Sequence, residues 1–176
     1  CGGATPTSSN LNFASGATMT NAVVTSTDAS GKVCLYTMSA VDMVVDLGGY
    51  LPVAAPISTA PPVRVLDSRA GPGLSTIDGL QFAIGARASD TVTTLPIGGR
   101  GGIPSDAGAV VLDVTVTDAE RSGFVTVFPC GTARPTASHL NFAARQTLSN
   151  MVVADLAADG TVCLYAMAGT HLVVDV

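Results

Sequence analysis

The clearest pattern in the chain is a strict alternation from Ala109 to Thr117. Val110, Leu112, Val114 and Val116 fall on one side, and Val111, Asp113, Thr115 and Thr117 on the other. A period of two over this length predicts a β-strand with one face in a core. Shorter alternating or apolar runs predict strands at Val63–Asp67, Leu80–Ile84, Thr91–Leu95 and Phe124–Phe128. The same signal predicts strands at Ser9–Phe13, Thr20–Ser26, Lys32–Met38 and Asp42–Asp46. In Val33–Met38 and Val162–Met167 successive residues are apolar or small, which suits a strand covered on both faces in a sandwich core. Between these runs lie turn signals. Asp28–Gly31 and Ser68–Gly73 predict turns, Asp118–Gly123 predicts a hairpin loop, and Gly98–Pro104 predicts a flexible loop.

The pattern of the last 47 residues is also that of the first 47. Cys1–Leu47 aligns without a gap on Cys130–Val176 at an offset of 129, with 24 identical positions. Self-similarity at a fixed offset predicts a repeated structural unit. On this reading residues 1–50 are the back half of a first repeat, with four strands and one disulfide. Residues 51–61 are a proline-rich linker, and residues 62–176 form a complete repeat. The complete repeat is expected to hold about nine strands. The fold class that follows is all-β, an antiparallel β-sandwich of jelly-roll-like or immunoglobulin-like type, in tandem with an incomplete N-terminal copy. Half a sandwich leaves strand edges and an apolar face open, so the first copy is expected to pack on the full unit or be completed by another chain.

Composition agrees with strands rather than helices. Val, Thr, Gly and Ser dominate, twelve aspartates stand against the single Glu120, and Lys32 is the only lysine. A net charge of −5 and seven scattered arginines provide no basic stripe, which argues against nucleic acid and anionic membrane surfaces as partners. The longest apolar stretch, around Val41–Ile57, is broken by Asp42, Asp46, Gly48, Gly49 and Pro52, so no membrane insertion is expected. Cys1 and Cys34 are 33 residues apart, as are Cys130 and Cys163. The simplest pairing is one disulfide per copy in an oxidising compartment; the alternative is buried reduced thiols. Each such closure stabilises its copy by about 3–4 kcal/mol through loop entropy.

The segments PVRVLDSRAGPG, GIPSDAGAVVLDVTVTDAERSGFVTVFPCG, RPTASHLNFA and SNMVVADLAADGTVCLYAMAGTHLVVDV together resemble a module repeated in secreted actinobacterial proteins. The likeness covers nearly the whole chain, with Cys1–Tyr50 matching the module's back half. It implies a secreted, β-rich accessory or surface role, commonly beside hydrolase domains or in tandem. It supplies no catalytic residues, and Asp113 stands where the module has asparagine.

Few constellations invite chemistry. Ser138 and His139 are neighbours on a strand and point to opposite faces, so with Asp175 they make no triad. A zinc site from Cys130, Cys163, His139 and His171 has Asn10 and Asp42 in place of its histidines in the first copy. Asp67, Asp113 and Asp175 lie in or at the ends of strands and could converge as glycosidase carboxylates. The structural reading of Asp67 with Arg69 is a local ion pair at a turn. GGRGGIP lacks the spacing of a phosphate loop, and Asp28, Ser30 and Asp159 supply too few oxygens for calcium. Asn12, Asn141, Asn21 and Asn150 recur between copies and suit the tying of backbone groups. The sharper alternative is sugar binding at Asn12 and Asn141 with Tyr36 and Tyr165 as stacking platforms. No catalytic residue, metal or cofactor is assigned. The expected role is a non-catalytic, secreted structural or surface-interaction repeat that assembles through strand pairing with other copies or neighbouring repeats. The alternative is a cell-wall or polysaccharide-binding accessory module of a secreted hydrolase.

Overall fold

The computed structural model describes Cys1, residues 9–52, Ser58 and residues 62–176. Most of the proline-rich linker, residues 53–57 and 59–61, lies outside the described residues. The strands are β1 (Arg64–Asp67), β2 (Thr91–Pro96), β3 (Ala109–Thr117), β4 (Gly123–Pro129), β5 (Leu140–Phe142), β6 (Leu148–Asp155), β7 (Thr161–Ala166) and β8 (His171–Asp175). They form two antiparallel four-stranded sheets, ordered β1-β8-β3-β6 and β2-β7-β4-β5. There is no helix among the described residues, and hence none long and apolar enough to cross a membrane.

This order is that of a jelly roll, and not of the immunoglobulin alternative. β1 pairs with β8, β2 with β7, β3 with β6 and β4 with β5, as in one long hairpin wound into a roll. Winding adds the ladders of β3 with β8 and β4 with β7. The front arm of the hairpin is therefore β1–β4, and the back arm is β5–β8. Every ladder joins one arm to the other, and no strand of the back arm pairs with another of its own arm.

The alternation of β3 is realised as expected: Val110, Leu112, Val114 and Val116 are buried and Val111 is exposed. Facing them across the sandwich are Leu95, Val125, Leu140, Phe142 and Leu164 from the other sheet, all buried. β7 lies between β2 and β4, and all its residues except the half-buried Tyr165 are buried.

Three sequence expectations are corrected. Leu80–Ile84 is not a strand, because Gln81 and Ala83 take positive φ of 56° and 53°, and only Phe82 bridges to Asp67. This leaves eight strands, not nine. Residues 118–122 do not close a hairpin, since β3 and β4 lie in different sheets. β3 already has β6 and β8 on its two edges, so the chain must cross over, anchored by the buried Ala119. The Gly98–Pro104 loop is not free but hydrogen-bonded, with Gly99 and Ile103 each joined to the other's neighbourhood through Gly99 N–H to Ile103 O (3.0 Å) and Ile103 N–H to Arg100 O (2.9 Å).

The first copy departs most from expectation. No strand is present among its described residues, 9–47, against the four predicted. Its local structure is nevertheless that of the second copy. Gly31 N–H donates to Asp28 O (2.9 Å) as Gly160 N–H does to Ala157 O (2.8 Å), and Asp28 N–H to Lys32 O (2.9 Å) as Ala157 N–H to Thr161 O (2.9 Å). Cys1–Cys34 and Cys130–Cys163 are both disulfides, with Cα separations of 5.3 and 5.0 Å. Ser9 donates to Asn12 Oδ1 and Ser138 to Asn141 Oδ1, each at 3.0 Å. The only front arm among the described residues, β1–β4, is laddered to the second copy, and apolar side chains of the first copy stay in water. Leu35 is 59% exposed where Leu164 is 0%, and Val45 is 68% exposed where Val174 is 0%.

Candidate functional site

At the β1–β8 edge two of the three carboxylates expected to converge, Asp67 and Asp175, are tied down by arginines. Asp67, fully buried at the end of β1, accepts from Arg69 N–H (3.1 Å), Arg69 Nε (2.9 Å), Arg69 Nη2 (2.8 Å) and Arg64 Nη1 (3.2 Å). The Arg69 hydrogen bonds hold its carboxyl below the usual carboxylate range, against the opposing effect of burial. Arg64 also grips Asp175 through Nε (2.9 Å) and Nη2 (3.1 Å), a two-pronged pair across the ladder. Asp113 is the ladder partner of Asp175 on the outer face of that sheet, so these groups meet on an open sheet face and not across a cleft. Beside them Leu172 N–H donates to Ser68 Oγ (2.9 Å), and the Ser68 hydroxyl shares a hydrogen bond with His171 Nδ1 (2.8 Å). Ser68 is fully buried, so this pair locks β1 to β8.

A second polar centre gave no signal in the sequence. Arg100, 7% exposed, donates to Asp78 Oδ2 (2.7 Å) and Oδ1 (2.8 Å) and to the carbonyls of Pro96 (2.7 Å), Val65 (2.8 Å) and Leu80 (3.3 Å). The guanidinium pulls the Asp78 carboxyl down to about 2. Gly101, at φ +58°, lets the loop fold over it: a Cβ there would sit 2.5 Å from Val63 Cγ2.

The loop between β4 and β5 covers part of the outer face of the second sheet. The Cys130–Cys163 disulfide ties it to β7, and Thr126 donates to Ala137 O (3.1 Å). His139 completes the ladder where β5 has not yet begun, its Nδ1 accepting from Val127 N–H (3.1 Å). Burial pushes this imidazole below its ordinary value, while the Asp46 charge works weakly the other way. Ser138 is bonded to Asn141, His139 to β4, and Asp175 to Arg64 in the other sheet, so the structure separates these three. Of the zinc set, Cys130 and Cys163 are joined to each other as a disulfide, and His171 is bonded to Ser68 at the other sheet. Asp28 Oδ1 accepts from Ser30 and Lys32 N–H, and Asp159 Oδ1 from Thr161, so both are turn fasteners.

Of the residues singled out for ligand binding, Asn141 and Tyr165 share the outer face of the second sheet. Asn141 is the ladder partner of Phe124, and Tyr165 that of Thr126. The Tyr165 ring lies 5.8 Å from Phe124 and carries the Arg134 guanidinium 4.0 Å above it. Its hydroxyl donates to Asp90 Oδ1 (2.6 Å), which pushes the phenol up. Arg134 thus occupies one face of the ring that was expected to stack a sugar. Asn12 and Tyr36 lie in the first copy, where Tyr36 is 68% exposed and Thr5 stands at the position of Arg134. Asn150 does what was expected of it: Nδ2 bonds the His139 carbonyl and Oδ1 accepts from Ala22 N–H (2.9 Å), joining the two copies.

Two open cavities lie where the copies meet. One, of about 510 Å³, runs between Gly16–Met19 and Asn141–Ala143; the other, of about 240 Å³, lies between Asn21–Ala22 and Ser138–His139. Among the described residues the first is lined by no titratable side chain, and the second holds Asp46 and His139. Comparison with protein-family models, curated proteins and solved structures finds no match. The fold and its polar centres define a class: a disulfide-stapled jelly roll whose ionic clusters fasten strands and loops.

Proposed function

We propose that the protein is a non-catalytic structural and surface-interaction module of a secreted protein, built as tandem repeats, in which the first copy is the interaction element. The observation that carries this is the first copy itself: a disulfide-closed segment with its local turns intact, no ladder among its described residues, and apolar side chains in water. Open strand positions and apolar surface are the features by which β-proteins recruit partners. Two disulfides suit an oxidising, extracellular setting, in keeping with the resemblance to the repeated module of secreted actinobacterial proteins.

The test is light scattering with a hydrophobic dye. The chain should bind dye and associate as concentration rises. A Leu35→Asp, Val45→Asp variant should do neither and should keep the unfolding transition of the sandwich. A wild-type chain that neither binds dye nor associates contradicts the reading. A second reading, polysaccharide binding, draws on the Phe124–Tyr165 pair beside Asn141. Retention on insoluble peptidoglycan, chitin or cellulose, lost on Tyr165→Ala, would support it, and no retention on any of them rejects it.

A further inference from the structure

The ladder pattern of residues 64–175 specifies what would complete the first copy. Each strand of the back arm bonds only to the front arm. Among the buried core residues that the back arm contributes, only Ala154, Ala166, Ala168 and Leu172 change in the first copy, to Thr25, Thr37, Ser39 and Met43. The same inward pattern calls for the same complement, a front arm like Val63–Pro129.

The front arm of residues 64–129 is already laddered to the second copy, so it is not free to serve the first.

The disulfide specifies how a front arm would be attached. Cys130 directly follows β4 and is bonded to Cys163 of β7, whose ladder partner is Phe128. Cys1 and Cys34 are bonded in the same way, with a Cα separation of 5.3 Å. Polypeptide joined ahead of Cys1 is therefore set down beside residues 33–37, in the place that β4 holds beside β7.

We infer that the first copy binds a front arm of the Val63–Pro129 pattern joined ahead of Cys1, completing a second jelly roll in which Leu35 and Val45 take the core places of Leu164 and Val174. This rests on the first copy being the interaction element. It is tested by placing a second Val63–Pro129 ahead of Cys1 in the full chain and measuring hydrogen exchange, dye binding and light scattering beside the unextended chain. Amides of residues 32–37 should become as protected as those of 161–166, dye binding should fall to background, and association should cease. Leu35→Asp in the extended chain should abolish the new protection and leave that of 161–166 intact. Residues 32–37 remaining unprotected, or becoming equally protected behind a scrambled front arm, overturns the inference. Dye binding and association of the unextended chain judge the interaction reading separately, and protection of 161–166 shows that the original roll still folds.

Discussion

At the scale of single residues, the fold depends on buried ions whose partners lie far apart in sequence. Arg100→Met would strand Asp78 and the carbonyls of Val65 and Pro96, and should cost about 3–5 kcal/mol in urea unfolding. The acid limb of stability follows from the same groups. Asp67 and Asp78 are held below 3.8, Asp78 at about 2, so the folded chain binds fewer protons there than the unfolded chain. Their contribution is complete above about 3.8 and is lost as pH falls toward about 2. His139, depressed from 6.5 and accepting from Val127 N–H, adds a shallower loss that begins as pH drops below 6.5. The urea midpoint should therefore be flat at neutral pH, decline gently in mild acid and fall steeply below about 3.8. In a His139→Asn variant, which carries the residue found at Asn10, the gentle phase should be missing.

At the scale of elements, the same sequence pattern has two outcomes, decided by the presence of a partner strand. Leu164→Ala should cost about 2–5 kcal/mol by opening a cavity between the sheets. Leu35→Ala, at the equivalent position, should change stability by no more than about 0.5 kcal/mol, because its side chain is already in water. Equal costs would mean that residue 35 is in a core. Periodicity made β3, β4 and the four strands of the second copy legible, since each alternates or runs apolar against a buried face. It could not show that β3 and β4 belong to different sheets, because a short polar connection serves a hairpin and a crossover alike. It also could not expose the positive φ at Gln81 and Ala83, or the role of Arg100 within a glycine-rich loop, because both arise from contacts with distant segments.

At the scale of the molecule, the two disulfides divide the chain into a staple that stabilises a folded roll and one that closes an open arm. Replacing Cys130 and Cys163 with alanine should lower the stability of the roll by about 3–4 kcal/mol, whereas the same change at Cys1 and Cys34 should leave its melting transition in place. The cysteine spacing announced both bonds. The Asn141–Tyr165 face was legible only in part, because Arg134 and Asp90 reach Tyr165 from loops that sequence spacing does not bring together. The proposal stands on the first copy being a preformed back arm that is laddered to no strand among the described residues. Hydrogen exchange on the intact chain tests it most directly, through the amides of residues 32–37 and 161–166. The account predicts slow exchange, near the global unfolding limit, at 161–166, and fast exchange at 32–37 apart from the Asp28–Lys32 turn. Equally slow exchange in both segments would show that the first copy already has its ladder and would contradict the account.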